Sequence, residues 1–222
     1  MEAVNGIIVH QTNSPDAASA LRSMSQKGAN GAHFLVDRDG KIYQTFSLEH
    51  QAHHIGRIHS RCIREMSCSP TELPDLEKLY KTHWSKSKQI NQIEEKKPFP
   101  ERYPSNADSI GIEVVGMAFG TDNNGKKLAN QGAIPDDKKV FEPMTDAQKA
   151  SLEWLLKELS STLNVPMHEV YMHPEVSWKN PTEALSAKET IERLKQEEAG
   201  NAAEPPPKSV QEQEVVNSPS GP

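Results

Sequence analysis

GIIVHQT, residues 6–12, runs through two isoleucines and a valine into a histidine. A short apolar, β-branched run closed by polar residues has the composition of a buried strand. Residues 5–10 are therefore read as a strand, and nothing in a strand requires the imidazole of His10. Ser14-Pro15 follows as an N-cap with proline at the first helical position, and Ala17, Ala18, Leu21 and Met24 recur at helical spacing. The order is strand, turn, helix.

Further along, AHFLV and KIYQTF flank Asp37-Arg38-Asp39-Gly40, which reads as a hairpin turn whose glycine takes positive φ. SIGIEVV, residues 109–115, returns to buried-strand composition. Ile110, Ile112 and Val114 fall on one face, with Gly111, Glu113 and Val115 on the other. Thr145 and Gln148 form a capping box ahead of a helix striped by Leu152, Leu155, Leu156, Leu159 and Leu163. A short strand, EVYMH, follows Pro166, and a polar helix is expected over Ser186–Glu198. These elements predict an α/β fold with a mixed central sheet flanked by helices. One domain is expected over 1–198, with a polar, proline-bearing insertion at 57–105 holding at most one or two helices around Leu73–Ile93. Residues 199–222 have no apolar period and are expected to form a disordered tail.

Composition narrows the function. Of 222 residues, 35% are hydrophobic, and 25 basic against 31 acidic side chains leave a net charge of -6. The mean hydropathy of -0.71 is polar for a folded domain. No basic block interleaved with aromatics occurs, which argues against nucleic-acid binding. The first residues lack a basic n-region, and their apolar run is too short for a signal peptide or a transmembrane segment. The expectation is a chain made in the cytoplasm without a signal peptide. Cys62 and Cys68, the only two cysteines, sit six apart in the insertion and are expected as free thiols, with a single local bridge as the alternative.

Nine histidines are present. His10 and His173 share a context, each ending an apolar strand-like run, and neighbouring strands would bring them together. Zinc favours imidazole nitrogens and, at a catalytic site, three protein ligands, so a third donor must converge. The following loop, HPEVSWKNPTEA, offers Glu175 and Glu183. Alone, either histidine reads as a polar residue at a strand end. Glu113, opposite its isoleucines and beside a glycine, suits a general base that moves a proton during attack on an amide; its bland reading is a solvated glutamate. His50 and His53 read as surface residues, and His54, before Ile55-Gly56, is the better site candidate. Lys179 is a candidate to stabilise an oxyanion.

Taken in order, IIVHQT, GAHFLVDRDGKIYQ, HHIG, SIGIEVVG and a late histidine after an apolar strand resemble the zinc N-acetylmuramoyl-L-alanine amidases of the second type, a group that includes peptidoglycan recognition proteins. The resemblance spans residues 6–184. It implies zinc held by His10, His173 and Glu183, at the place where the family has Asp or Cys, with Glu113 as the catalytic glutamate. His54 or Lys179 would steady the oxyanion, and Ala32 stands where some phage members carry a tyrosine. The implied reaction is hydrolysis of the bond between N-acetylmuramic acid and L-alanine of peptidoglycan or a muropeptide. A binding module without activity is the alternative class. Three settings fit a wall enzyme without a signal peptide: cytoplasmic recycling, release by phage lysis, and export as an antibacterial toxin. The last, for instance by type VI secretion, carries a secretion system and an immunity protein as partners.

Overall fold

The computed structural model describes residues 1–81, 86–121, 126–128, 135 and 138–203. Its strands are β1 (Gly6–Gln11), β2 (Phe34–Val36), β3 (Ile42–Gln44), β4 (Ser109–Val114), β5 (Ala118–Gly120), β6 (Lys139–Phe141) and β7 (Val170–Met172). Five of them form the main sheet in the order β3-β2-β4-β1-β7, and β5 and β6 pair as a separate ribbon. The pairings β1–β4, β1–β7 and β2–β4 are parallel, whereas β2–β3 is antiparallel. The sheet is mixed, as the hairpin and the two isoleucine-rich strands imply.

The helices are α1 (Ala17–Met24), α2 (Arg61–Arg64), α3 (Leu73–Lys81), α4 (Ser87–Glu94), α5 (Asp146–Leu163), α6 (His173–Val176) and α7 (Lys188–Ala203). Strand alternation sorts the sheet into two faces. Ile7, Val9, Ile110, Ile112 and Val114 pack against Leu152, Leu155, Leu156 and Leu159 of α5 and Ile191 and Leu194 of α7. This buries the leucine stripe, and each such side chain contributes about 1.5–3 kcal/mol relative to exposure. On the opposite face, Ile8 and Tyr171 meet Ile55, Ile58, Tyr103 and Val176, and Leu35 and Val115 meet Ala17 and Ala20 of α1.

Local signals hold with adjustments. The Thr145 capping box is present in both directions. Gly40 has φ +86°, and a Cβ there would stand 2.8 Å from Ser151 Oγ and 2.9 Å from the Ala147 carbonyl, so the hairpin turn tucks beneath α5. The cap of α1 is Asp16 rather than Ser14; its carboxylate accepts from the Ser19 amide at 2.7 Å and is a stronger acceptor than a hydroxyl. The last helix runs to Ala203 instead of ending at Glu198, and residues 204–222, most of the expected tail, lie outside the described residues. The β5–β6 ribbon, three residues a side, is too short for its alternation of burial to register as a sequence pattern.

The insertion is more structured than expected. Three helices, not one or two, lie within it among the described residues, and they bury Leu76 and Ile90. It docks onto the second face of the sheet. Arg61 makes an ion pair with Glu169 at 2.9 Å, Arg102 pairs with Asp108 at 3.0 Å, and Ile58 and Tyr103 pack with Ile8 and Tyr171. Cys62 and Cys68, expected free, are joined in a disulfide with Cα atoms 4.5 Å apart. The turn after α2 folds back, with the Ser67 amide donating to the Cys62 carbonyl at 2.8 Å, and that closure is not encoded in any periodicity. Among the described residues, no helix is long and apolar enough to cross a membrane.

Candidate functional site

Register places the site. His10 pairs with Glu113 across β1 and β4, and Val9 pairs with Met172, so His173, one residue past β7, continues the same row. Side chains at matched positions of parallel strands share a face. His10, Glu113 and His173 therefore stand side by side at the carboxyl ends of three parallel strands, the end at which open α/β sheets bind ligands.

The three candidate ligand atoms converge. His10 Nδ1 lies 2.8 Å from His173 Nδ1, and Glu183 Oε1 lies 2.8 Å from His173 Nδ1 and 3.7 Å from His10 Nδ1. All three residues are buried. The loop after α6 delivers Glu183 by a turn in which its amide donates to the Asn180 carbonyl at 3.0 Å. The donor chemistry fits a metal ion. His173 Nε2–H donates to the Ile55 carbonyl at 2.8 Å, and a carbonyl only accepts, so Nδ1 is the ring nitrogen that faces His10 and Glu183. Two imidazole nitrogens and a carboxylate oxygen facing one point are the ligand types and number of a catalytic zinc centre.

Electrostatics agree with that reading. Burial, and then the neighbouring His173, lower His10 to about 3, which keeps its ring neutral at physiological pH. Burial would raise Glu183, but the imidazoles of His10 and His173 facing its carboxylate outweigh burial and hold it below the usual carboxylate range. Glu113 behaves in the opposite way. Burial, reinforced by the charge of Glu183 and only partly offset by Lys179, pushes it up to about 8. Its Oε2 is enclosed with no protein hydrogen-bond partner. A carboxyl without a structural partner, poised near neutrality beside a donor set, has the properties of a general base.

Lys179 is exposed, on the same loop as Glu183, and both line a cavity of about 210 Å³ with Asn13 and Phe141. His54 is placed differently from a substrate contact. Its Nδ1 lies 2.9 Å from His10 Nε2, and its Nε2 lies 3.2 Å from Ser109 Oγ, so both ring nitrogens have internal partners. The space above Gly111 belongs to this ring: a Cβ there would stand 2.8 Å from His54 Cγ and Nδ1. The glycine makes room for the imidazole. Glu175, the other carboxylate of the loop, caps α6 by accepting from the Met172 amide at 2.6 Å. His50 and His53 are exposed.

Asn106 and Ser109 were missed by sequence reasoning. Asn106 Oδ1 accepts from the amides of both His54 and Ile55 at 2.9 Å. A lone asparagine after a proline-rich stretch gives no sign of this, and neither does a serine that opens an apolar strand.

Comparison with known proteins follows the same outline. No curated protein matches the chain. Two solved structures share its fold: AmiD, an N-acetylmuramyl-L-alanine amidase from E. coli, and AmpDh3 from Pseudomonas aeruginosa. AmiD is 17% identical with a TM-score of 0.54, over 86% of this chain and 57% of its own. AmpDh3 is 18% identical with a TM-score of 0.53, over 86% of this chain and 59% of its own. The chain thus spans little more than half the length of these two proteins. The family model for N-acetylmuramoyl-L-alanine amidase matches residues 1–188, from ahead of His10 to beyond Glu183, and with that coverage the chain belongs to this amidase family.

Proposed function

We propose that this chain is a zinc-dependent N-acetylmuramoyl-L-alanine amidase that hydrolyses the amide between the lactyl group of N-acetylmuramic acid and L-alanine of the peptidoglycan stem. The observation that carries the reading is the convergence of His10, His173 and Glu183 beside the unpartnered Glu113 carboxyl. The AmiD structure is a complex with the substrate anhydro-N-acetylmuramic acid-L-Ala-D-γ-Glu-L-Lys, and the same class is proposed here.

His10, His173 and Glu183 would hold the ion, which when bound supplies a Lewis acid for the scissile carbonyl and for the attacking water. Glu113 accepts a proton from that water as it attacks and returns it to the departing amine of L-alanine, so the carboxylate ends as it began. Lys179 offers an ammonium to the oxygen that gains charge in the tetrahedral state. His54 has no N–H left for that oxygen, which leaves Lys179 in the role alone. A binding module without activity would need neither a general base lacking a structural partner nor a complete three-donor set, so the geometry favours hydrolysis.

Mass spectrometry of muropeptides incubated with the full chain tests the reading. Free peptides beginning at L-alanine are expected, lost on chelation and restored by zinc. Their absence from a zinc-loaded protein would leave binding as the better account.

The same proposal extends to location. The Cys62–Cys68 disulfide supports action in an oxidising compartment such as the periplasm, because cytosolic thiols are kept reduced. Lytic release or export as an antibacterial toxin fits that support better than cytoplasmic recycling does. Growth inhibition is expected when the chain is directed to the periplasm and not when it stays in the cytoplasm. Equal tolerance of both would favour recycling.

A further inference from the structure

We infer that His54 is a positioning residue for the metal centre, fixing which nitrogen of His10 carries the proton, and that Asn106 holds His54 in place to do so. The inference rests on the zinc reading only for its purpose; the hydrogen-bond directions stand without it.

Those directions follow from one end of a chain of contacts. The Ser105 carbonyl can only accept, and Ser109 Oγ lies 2.5 Å from it, so the hydroxyl proton points there. Ser109 Oγ must then accept from His54 Nε2–H at 3.2 Å. With its proton on Nε2, His54 presents a lone pair at Nδ1, which accepts His10 Nε2–H at 2.9 Å. His10 is left with a bare Nδ1, the atom 2.8 Å from His173 Nδ1 and nearest to Glu183. Each step is forced by the one before it.

The neighbouring residue performs the same service for the second histidine. The Ile55 carbonyl accepts His173 Nε2–H at 2.8 Å and is held by Ser177 Oγ at 2.9 Å. One dipeptide, His54-Ile55, thus sets the tautomers of both imidazoles, His10 through a side chain and His173 through a carbonyl. Asn106 Oδ1 grips both of its amides at 2.9 Å. Gly111 completes the arrangement, since any side chain there would displace the His54 ring. Because His54 and Asn106 stand immediately before and after the long insertion, the stem of the insertion is part of the support of the metal centre.

Outer partners that fix ligand tautomers typically contribute about 10–100-fold in metal affinity. The test combines long-range ¹H–¹⁵N imidazole spectra of the chelated full chain with zinc affinity by chelator competition. Wild type is expected to carry the His10 proton on Nε2. His54→Ala is expected to mix the His10 tautomers and weaken zinc about 10–100-fold. His54→Asn, whose Oδ1 stands in for the lost Nδ1 acceptor, is expected to recover most of that loss, which a packing role would not predict. Should His54→Ala fail to fold, Asn106→Ser and Ser109→Ala probe the same chain from its far ends, each with a smaller loss in the same direction. A wild-type His10 protonated on Nδ1, or a folded His54→Ala with unchanged tautomer and zinc affinity, would overturn the inference. A chain that binds no zinc yet shows the Nε2–H tautomer would overturn the zinc reading and uphold this one.

Discussion

Glu113→Gln is expected to bind zinc as the wild type does and to lose about 10²–10⁴-fold in turnover, the range that a positioned acid or base contributes. The substitution keeps the volume and the polar atoms of the side chain and removes only its capacity to take a proton. Glu113 touches neither His10 Nδ1 nor His173 Nδ1 within hydrogen-bond distance, so the donor set should survive intact. Near-normal turnover in a zinc-loaded Glu113→Gln protein would remove this carboxylate from the mechanism. A second readout needs no substrate. In the chelated protein, Glu113 titrates near 8 when folded, against 4.5 when unfolded. The folded state then holds the extra proton between those values, so this group lowers stability as pH rises through that window. His10, held near 3, works in the opposite direction below its ordinary 6.5. The Glu113 contribution should therefore be cleanest from about pH 6.5 to 8. Across that range chelated wild type should lose melting temperature relative to Glu113→Gln, and parallel curves would show that burial does not burden the carboxylate.

What the sequence disclosed divides along a physical line. Strand alternation is a property of a few consecutive residues, so SIGIEVV was enough to set Glu113 against its isoleucines, and IIVH to place His10 at a strand end. Parallel pairing then did the rest, because matched strands with matched faces bring His10, Glu113 and His173 into one row. Glu183 was legible only through the family resemblance, since the residues themselves left Glu175 equally open. What decides between them is the capping geometry of α6, a local arrangement that appears once the helix is seen to begin at His173. His54 was found but misread. Its partners, His10 and Ser109, are 44 and 55 positions away, and no periodicity reports contacts of that span. The insertion defeated the reading for a related reason. Its anchors include ion pairs between distant polar residues, Arg61 with Glu169 and Arg102 with Asp108, which composition registers only as surface.

Glu183→Ala should abolish the response to zinc with little harm to the fold. A ligand that binds only the native state stabilises it by about 2.7 kcal/mol at 100 times its dissociation constant. For a domain of this size that raises the melting temperature by roughly 5–10 °C. Wild type is expected to show this shift and Glu183→Ala to show none at the same zinc concentration, with turnover lost in parallel. Glu183→Asp separates charge from reach. The shorter carboxylate keeps the anion but must span the gap to His173 Nδ1, now closed at 2.8 Å, by moving the loop that begins at Ser177. That loop is tied down: the single hydroxyl proton of Ser177 is shared between the Ile55 and Arg57 carbonyls, 2.9 and 2.6 Å from Oγ, and Thr182 Oγ1 accepts from the Phe141 amide at 3.1 Å. A partial shift is therefore expected for Asp, between those of wild type and Ala. If Glu183→Ala kept the full zinc shift, Glu183 would not be a ligand, and His10 and His173 would need a donor from outside this site. If Asp instead matched wild type, the loop would be more yielding than its hydrogen bonds imply, and the family's preference for a shorter ligand would be a matter of backbone, not of the metal.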